Sequence, residues 1–135
     1  MSGERYPVLW IGQVSVVTLP AEIDVTNADA TREELLAVLN QGAAMLVADM
    51  SKTVFCDSSG VSALVRAFRR ADASGQAMRF VVSTPAVQRV LSITGVDRLV
   101  DVYPSVAASL AGPKGQADPA WPDGVTAKAD TDGGA

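Results

Sequence analysis

Ala43-Ala44-Met45-Leu46-Val47-Ala48 is an unbroken apolar run, and the stretch behind it, Ser51-Lys52-Thr53-Val54-Phe55-Cys56-Asp57-Ser58-Ser59-Gly60-Val61-Ser62, leads into a segment of different period. A short apolar run without polar alternation is the pattern of a strand buried on both faces, as the central strands of parallel sheets are. Beyond it Val61, Leu64, Val65 and Phe68 recur at helical spacing, while Ser62, Arg66, Arg69 and Arg70 fall on the opposite face and Gly75 closes the segment. A buried strand feeding an amphipathic helix is the building unit of an α/β sheet.

That unit repeats downstream. Met78 to Val82 predicts a strand, and a helix starts near Pro85 with Val87, Val90 and Leu91 inward and Gly95 as its stop. A short strand at Leu99 to Val102 and a helical piece from Ser105 to Leu110 end the pattern. Upstream, Tyr6–Trp10 and Val14–Leu19 are β-favouring runs separated by Ile11-Gly12-Gln13, which predicts a hairpin. After Pro20-Ala21-Glu22-Ile23-Asp24, the segment Asn27–Asn40 predicts a helix with Leu35, Val38 and Leu39 inward, Asn27 as its cap and Gly42 as its end. The expected fold class is α/β: a mixed, mostly parallel sheet with an antiparallel hairpin at its N-terminal edge, covered by about four helices.

Residues 1–112 are expected to form this one domain. From 113 to 135 the composition changes to four glycines, three prolines and four aspartates with little aliphatic content. Burial there would be too small to offset the entropy of ordering, so a disordered, acidic Gly/Pro/Ala-rich tail is expected. Trp121 reads either as an incidental tryptophan in that tail or as a docking anchor.

Composition removes several function classes. The chain has no histidine, the usual general base and the commonest neutral metal ligand, so Ser-His-Asp hydrolysis is excluded. Cys56 is the only cysteine, which rules out an internal disulfide, a CxxC redox pair and a thiolate cage for zinc. No cofactor and no metal are expected. Eleven basic against fifteen acidic residues give a net charge of −4, which disfavours nucleic acid and anionic lipid as partners. No stretch approaches the length of a membrane span, and Met1-Ser2-Gly3-Glu4-Arg5 has neither the charged and apolar regions of a signal peptide nor the glycine needed for myristoylation. A cytoplasmic protein whose partner is another protein is the expectation.

The segment around Ser58 joins the end of a strand to the start of an amphipathic helix. A serine there sits among backbone N–H groups without partners and at the positive end of the helix dipole, so an added phosphate is tolerated locally. Gly60 is expected to let a partner approach the hydroxyl closely. Asp57, Ser58 and Ser59 are equally the residues of an ordinary helix cap, and the local pattern leaves both readings open.

Asp57-Ser58-Ser59-Gly60, the upstream Ala21-Glu22-Ile23-Asp24 and the late Ser92-Ile93-Thr94-Gly95-Val96 stand in one chain in the order and spacing of the anti-sigma-factor antagonists, a branch of the STAS domain family. The chain resembles that branch from roughly Tyr6 to Ala111. The resemblance implies a STAS fold, and it implies that Ser58 is the phosphorylation site, matching the first serine of the family's D-S-[ST]-G motif. It further implies a partner surface of Asp24, Asp57, Ser58, Ser59, Gly60 and Ser62. Pro20-Ala21 stands where the family usually has a glycine, which leaves that loop's shape open. The implied partner is an anti-sigma factor with a GHKL-type ATP-binding fold that is also the serine kinase, and a PP2C-type phosphatase resets the switch. This chain would be a substrate and not an enzyme. Asp24 is expected to follow the second strand and Asp57 the central strand, so if those strands run parallel both acids fall on one edge.

Other readings compete. An Asp57 phospho-acceptor of receiver type would need an acidic pair for Mg²⁺ and a lysine after a later strand, and the loops around Ser83 and Tyr103 hold no lysine. A non-switching STAS scaffold, a lipid-transport accessory and a nucleotide-binding sensor keep the fold and drop the switch. Gly112-Pro113-Lys114-Gly115 follows a helix instead of linking strand to helix, so it is not a phosphate loop. Arg66, Arg69 and Arg70 read as a solvated face or as groups meeting acids on a partner. Cys56 reads as a buried core residue in preference to a redox sensor, with nothing basic beside it to lower its pKa.

Overall fold

The computed structural model describes residues 6–111. The tail at 113–135, with Trp121, lies outside the described residues. Two strands, β1 (Val8–Ile11) and β2 (Val14–Thr18), form the expected hairpin. Its two-residue turn uses Gly12 at φ +61°, a left-handed conformation that glycine adopts without strain. The chain then runs through β3 (Glu22–Ile23), α1 (Ala28–Asn40), β4 (Met45–Met50), β5 (Phe55–Cys56) and α2 (Ser58–Ala73). It continues with β6 (Ala77–Val82), α3 (Pro85–Thr94), a 3₁₀ turn at Val96–Arg98, β7 (Asp101–Tyr103) and α4 (Val106–Leu110).

The main sheet has the order β1-β2-β4-β6-β7, antiparallel between β1 and β2 and parallel thereafter. The apolar run thus becomes β4, the middle strand of five, and its neighbouring residues Leu46 and Val47 are both fully buried on opposite faces. Leu46, Ala48 and Met50 meet the larger core beneath α1, α2 and α3, together with Leu35, Leu64, Phe80 and Leu91. Val47 belongs to a thinner layer with Val16 and Val81, against which Val106 of α4 packs. The helices therefore cover the two faces unequally. α4 has five residues, and β1 at the edge leaves all of Val8, Leu9, Trp10 and Ile11 exposed.

Arg79 points into the thin layer and is 6% exposed. Its guanidinium donates to the Ser109 carbonyl at 2.6 Å and lies 5.4 Å from the centre of the Tyr103 ring. A charge-assisted bond to the last turn of α4 thus ties that short helix to the sheet.

Two elements depart from the expected pattern. Leu99–Val102 was expected as a strand, but Gly95 at φ +83° turns the chain sharply and a 3₁₀ turn follows, so that pairing with β6 begins at Asp101. Burial of Val96 and Val100, joined by the Val100 N–H to Val96 carbonyl bond at 3.1 Å, sets that turn. The second departure is an additional two-stranded sheet, β3 with β5, whose strands run parallel with Ile23 opposite Cys56.

Candidate functional site

The small sheet positions the site. Pro20 and Ala21 enter it as acceptors: the Thr53 hydroxyl donates to the Pro20 carbonyl at 2.8 Å, and the Val54 N–H donates to the Ala21 carbonyl at 2.8 Å. These bonds hold the loop against the chain after β4. β3 and β5 then run side by side, and the Asp57 N–H donates to the Ile23 carbonyl at 3.1 Å. Asp24 and Asp57 each leave the end of one of two parallel strands, so the two acids emerge on one edge.

After Asp24 the chain turns through an arrangement of side-chain bonds. The Thr26 N–H and hydroxyl both donate to Asp24 Oδ1, at 2.9 and 2.5 Å. The Thr26 hydroxyl chiefly, with its N–H second, holds the Asp24 carboxyl below its ordinary pKa. Asn27 was expected to cap α1 with its side chain. It instead accepts from the Asp24 N–H at 2.9 Å and donates from Nδ2 to the Glu22 carbonyl at 2.8 Å. The amide serves the turn because the turn has unsatisfied backbone groups on both sides of it.

After β5, Asp57 is the cap of α2. Its carboxylate accepts from the Gly60 N–H at 3.0 Å, and its carbonyl accepts from the Val61 N–H at 2.9 Å. Capping by Asp57 leaves the Ser58 side chain, the first of the helix, unused for that purpose. Ser58 and Ser62 are exposed, and Ser59 is half-buried. Of the residues that read as a helix cap, Asp57 takes that role, and Ser58 is exposed.

Gly60 requires a correction. It was expected on the partner surface, as the residue that opens access to Ser58, but it is buried. A Cβ on Gly60 would lie 2.7 Å from Cys56 Sγ, 2.8 Å from Ile23 Cγ2 and 3.0 Å from the Ile23 carbonyl oxygen. Glycine is needed here so that α2 can press its first turn onto β3 and β5. Cys56, 3% exposed, is part of the same contact, and burial chiefly, with the Asp57 charge second, pushes its thiol up to about 11. It is a core thiol in its neutral form.

The N-terminal halves of α1 and α2 enclose an open cleft of about 420 Å³, lined among others by Arg32, Ser58, Ser59, Ser62 and Arg66. Arg32 was not singled out from the sequence, because its proximity to Ser58 depends on how α1 packs against α2. Val25 and Phe55, at 74% and 49% exposure, flank the two acids in sequence. Both are large apolar groups left in water, Val25 in the turn after β3 and Phe55 in β5. Among the described residues no group of His, Cys, Asp and Glu is arranged to hold a metal ion. No helix of the described residues is long and apolar enough to cross a membrane.

A family model for the STAS domain matches residues 8–109. The chain belongs to the STAS domain family. Among curated relatives of this STAS chain, the anti-sigma-B factor antagonist of Bacillus subtilis strain 168 is 27% identical over 86 residues, covering 64% of this chain and 78% of the relative. Among solved structures, an anti-sigma factor antagonist from Mycobacterium paratuberculosis is 28% identical with a TM-score of 0.72, covering 78% of this chain and 90% of the other. The Bacillus cell fate determinant SpoIIAA in its phosphorylated form shares the fold at 19% identity and a TM-score of 0.60, covering 78% and 96% of the two chains. The expected STAS architecture, mixed sheet, edge hairpin and four helices, is the one observed.

Proposed function

We propose that this STAS domain is an anti-sigma factor antagonist whose unphosphorylated form binds an anti-sigma factor and frees a sigma factor, and whose phosphorylation at Ser58 ends that binding. The observation that carries this reading is the division of labour at the start of α2. Asp57 takes the capping role, so Ser58 stands at the helix start with an exposed hydroxyl that the cap does not need. The names of the curated relatives support the same reading. Asp24, Asp57, Ser59 and Ser62 border the acceptor and make up the polar part of the contact, with Val25 and Phe55 as apolar neighbours. Gly60 supports the surface from within.

The chemistry resides on the partner, an anti-sigma factor with a GHKL-type fold that brings ATP and Mg²⁺. The Ser58 oxygen attacks the γ-phosphorus, the bond from that phosphorus to the β–γ bridging oxygen breaks, ADP leaves, and the hydroxyl proton passes to the partner's base or to water. The product is a phosphoserine carrying about −1.5 to −2 charges at pH 7 where a neutral hydroxyl had been. Placed in a contact formed around a neutral serine, that charge costs several kcal/mol, and each ~1.4 kcal/mol lowers affinity tenfold. A PP2C-type phosphatase restores the hydroxyl. This chain is then substrate and ligand and performs no catalysis itself.

The test mixes the full chain with candidate anti-sigma factors and ATP, maps phosphate by mass spectrometry and measures complex formation in parallel. Ser58→Ala is expected to abolish phosphate uptake and keep binding, Ser58→Asp to weaken binding, and Ser59→Ala to be phosphorylated like wild type. Equal phosphate incorporation in wild type and Ser58→Ala would sink the assignment.

A further inference from the structure

Ser58, Ser62 and Arg66 stand at positions i, i+4 and i+8 of α2 and so share one stripe of its surface. Helical side chains lean toward the N-terminus, which brings the Arg66 guanidinium back along that stripe toward Ser58, about 12 Å away between backbones at 1.5 Å per residue. Arg66 and Ser58 line the same cleft, and Arg32 enters it from α1 on the other side. Two arginines from two helices thus line one cleft with Ser58, Ser59 and Ser62, with Asp29 as the acid among its lining residues.

The charges in the cleft are unequally occupied. Arg66 is exposed and has neither hydrogen bond nor ion pair among the described residues. Arg32 reaches Asp29 at 3.2 Å and Glu33 at 3.3 Å, but those carboxylate side chains are 89% and 68% exposed. Solvent-exposed pairs of this kind contribute little and are readily exchanged. A phosphoryl group offers a guanidinium shorter, charge-assisted and bidentate bonds, so it competes well for both arginines.

Resting on the reading that Ser58 is phosphorylated, we infer that the cleft between α1 and α2 is the seat of that phosphoryl group, held in cis by Arg66 from its own helix and by Arg32 from across the cleft. The unphosphorylated chain then offers the unpaired Arg66 to acidic groups of a partner, with Arg32 held only by exposed carboxylates, and the phosphorylated chain consumes both arginines. Phosphorylation would switch the surface off twice, by adding an anion and by removing the cations that steer and hold an acidic partner.

The test installs phosphoserine at position 58 during translation of the full chain, which makes it independent of any kinase. Phosphorus NMR then follows the second ionisation of the phosphate against pH. An ordinary phosphoserine has that pKa near about 6, and neighbouring guanidiniums hold it lower. Arg66→Gln is expected to raise the value by about half to one unit, Arg32→Gln by a smaller step, and the double variant by the most. Glutamine keeps helix propensity close to that of arginine, so the fold is retained. Arg69→Gln, on the same helix but outside the cleft, is expected to titrate with wild type. Values that do not move in Arg66→Gln or in the double variant overturn the proposal. Failure of Ser58 to accept phosphate from a kinase would instead overturn the switch, and the titration would still report on the cleft.

Discussion

At the scale of single residues, the site depends on an absence as much as on a functional group. Gly60 looks in sequence like a residue that opens space for a partner, and in the fold it closes space between α2 and the β3–β5 pair. Substitution by alanine places a methyl group against Cys56, Ile23 and the Ile23 carbonyl, two of the three contacts below 3.0 Å. Since one contact is backbone, side-chain rotation cannot relieve all of them. Gly60→Ala is expected to destabilise the domain by about 1–3 kcal/mol, as overpacking of a close-packed interior does. Urea unfolding checks it, and a midpoint equal to that of wild type would show that α2 can shift without loss. The glycine was legible in the sequence as part of a motif, but its packing role was not, because Ile23 is 37 residues away in the chain and meets it through the β3–β5 pairing.

At the scale of elements, α2 depends on Asp57 for its start, and the same residue carries charge next to Ser58. The two roles separate by substitution. Asparagine caps about as well as aspartate, whereas alanine loses the bond to the Gly60 N–H. Asp57→Ala is therefore expected to cost about 0.5–2 kcal/mol of stability in thermal or urea unfolding, while Asp57→Asn leaves stability within a few tenths and changes only the charge at the site. Equal destabilisation by both would mean that the charge, and not the cap, holds the helix start. The boundaries of α2 and α3 were legible because their signals are local: an apolar stripe, a Pro85 start, and terminating glycines at Gly75 and Gly95, with φ of +73° and +83°. β3 and β5 were not legible as strands. Two residues each carry no periodicity, and their pairing joins segments more than 30 positions apart.

Across the whole molecule, the two faces of the sheet are built differently. Three helices cover one face with large aliphatic residues, and the other has a valine layer capped by the five residues of α4. That short helix buries little, so its attachment rests heavily on Arg79, whose bond to the Ser109 carbonyl is charge-assisted. Hydrogen bonds to charged groups contribute about 1.5–3 kcal/mol. Arg79→Met is expected to speed amide exchange in α4 by roughly tenfold to a hundredfold, with β4 and β6 amides keeping their protection relative to global unfolding. Exchange that rises equally in β4 would show that Arg79 supports the sheet and not the helix. The sequence by itself determined the class of fold, the middle position of β4 and the order of the helices, because hydrophobic period, glycine stops and proline starts are properties of contiguous residues. It also determined which classes of chemistry are closed, since a chain without histidine and with a single cysteine lacks the groups they require. Only the tertiary structure decided that Asp57 caps and Ser58 does not, that Gly60 is buried, and that Arg32 and Arg66 line one cleft with Ser58. Each of those depends on how residues far apart in the chain approach one another, and long-range packing leaves no periodic trace in a single sequence.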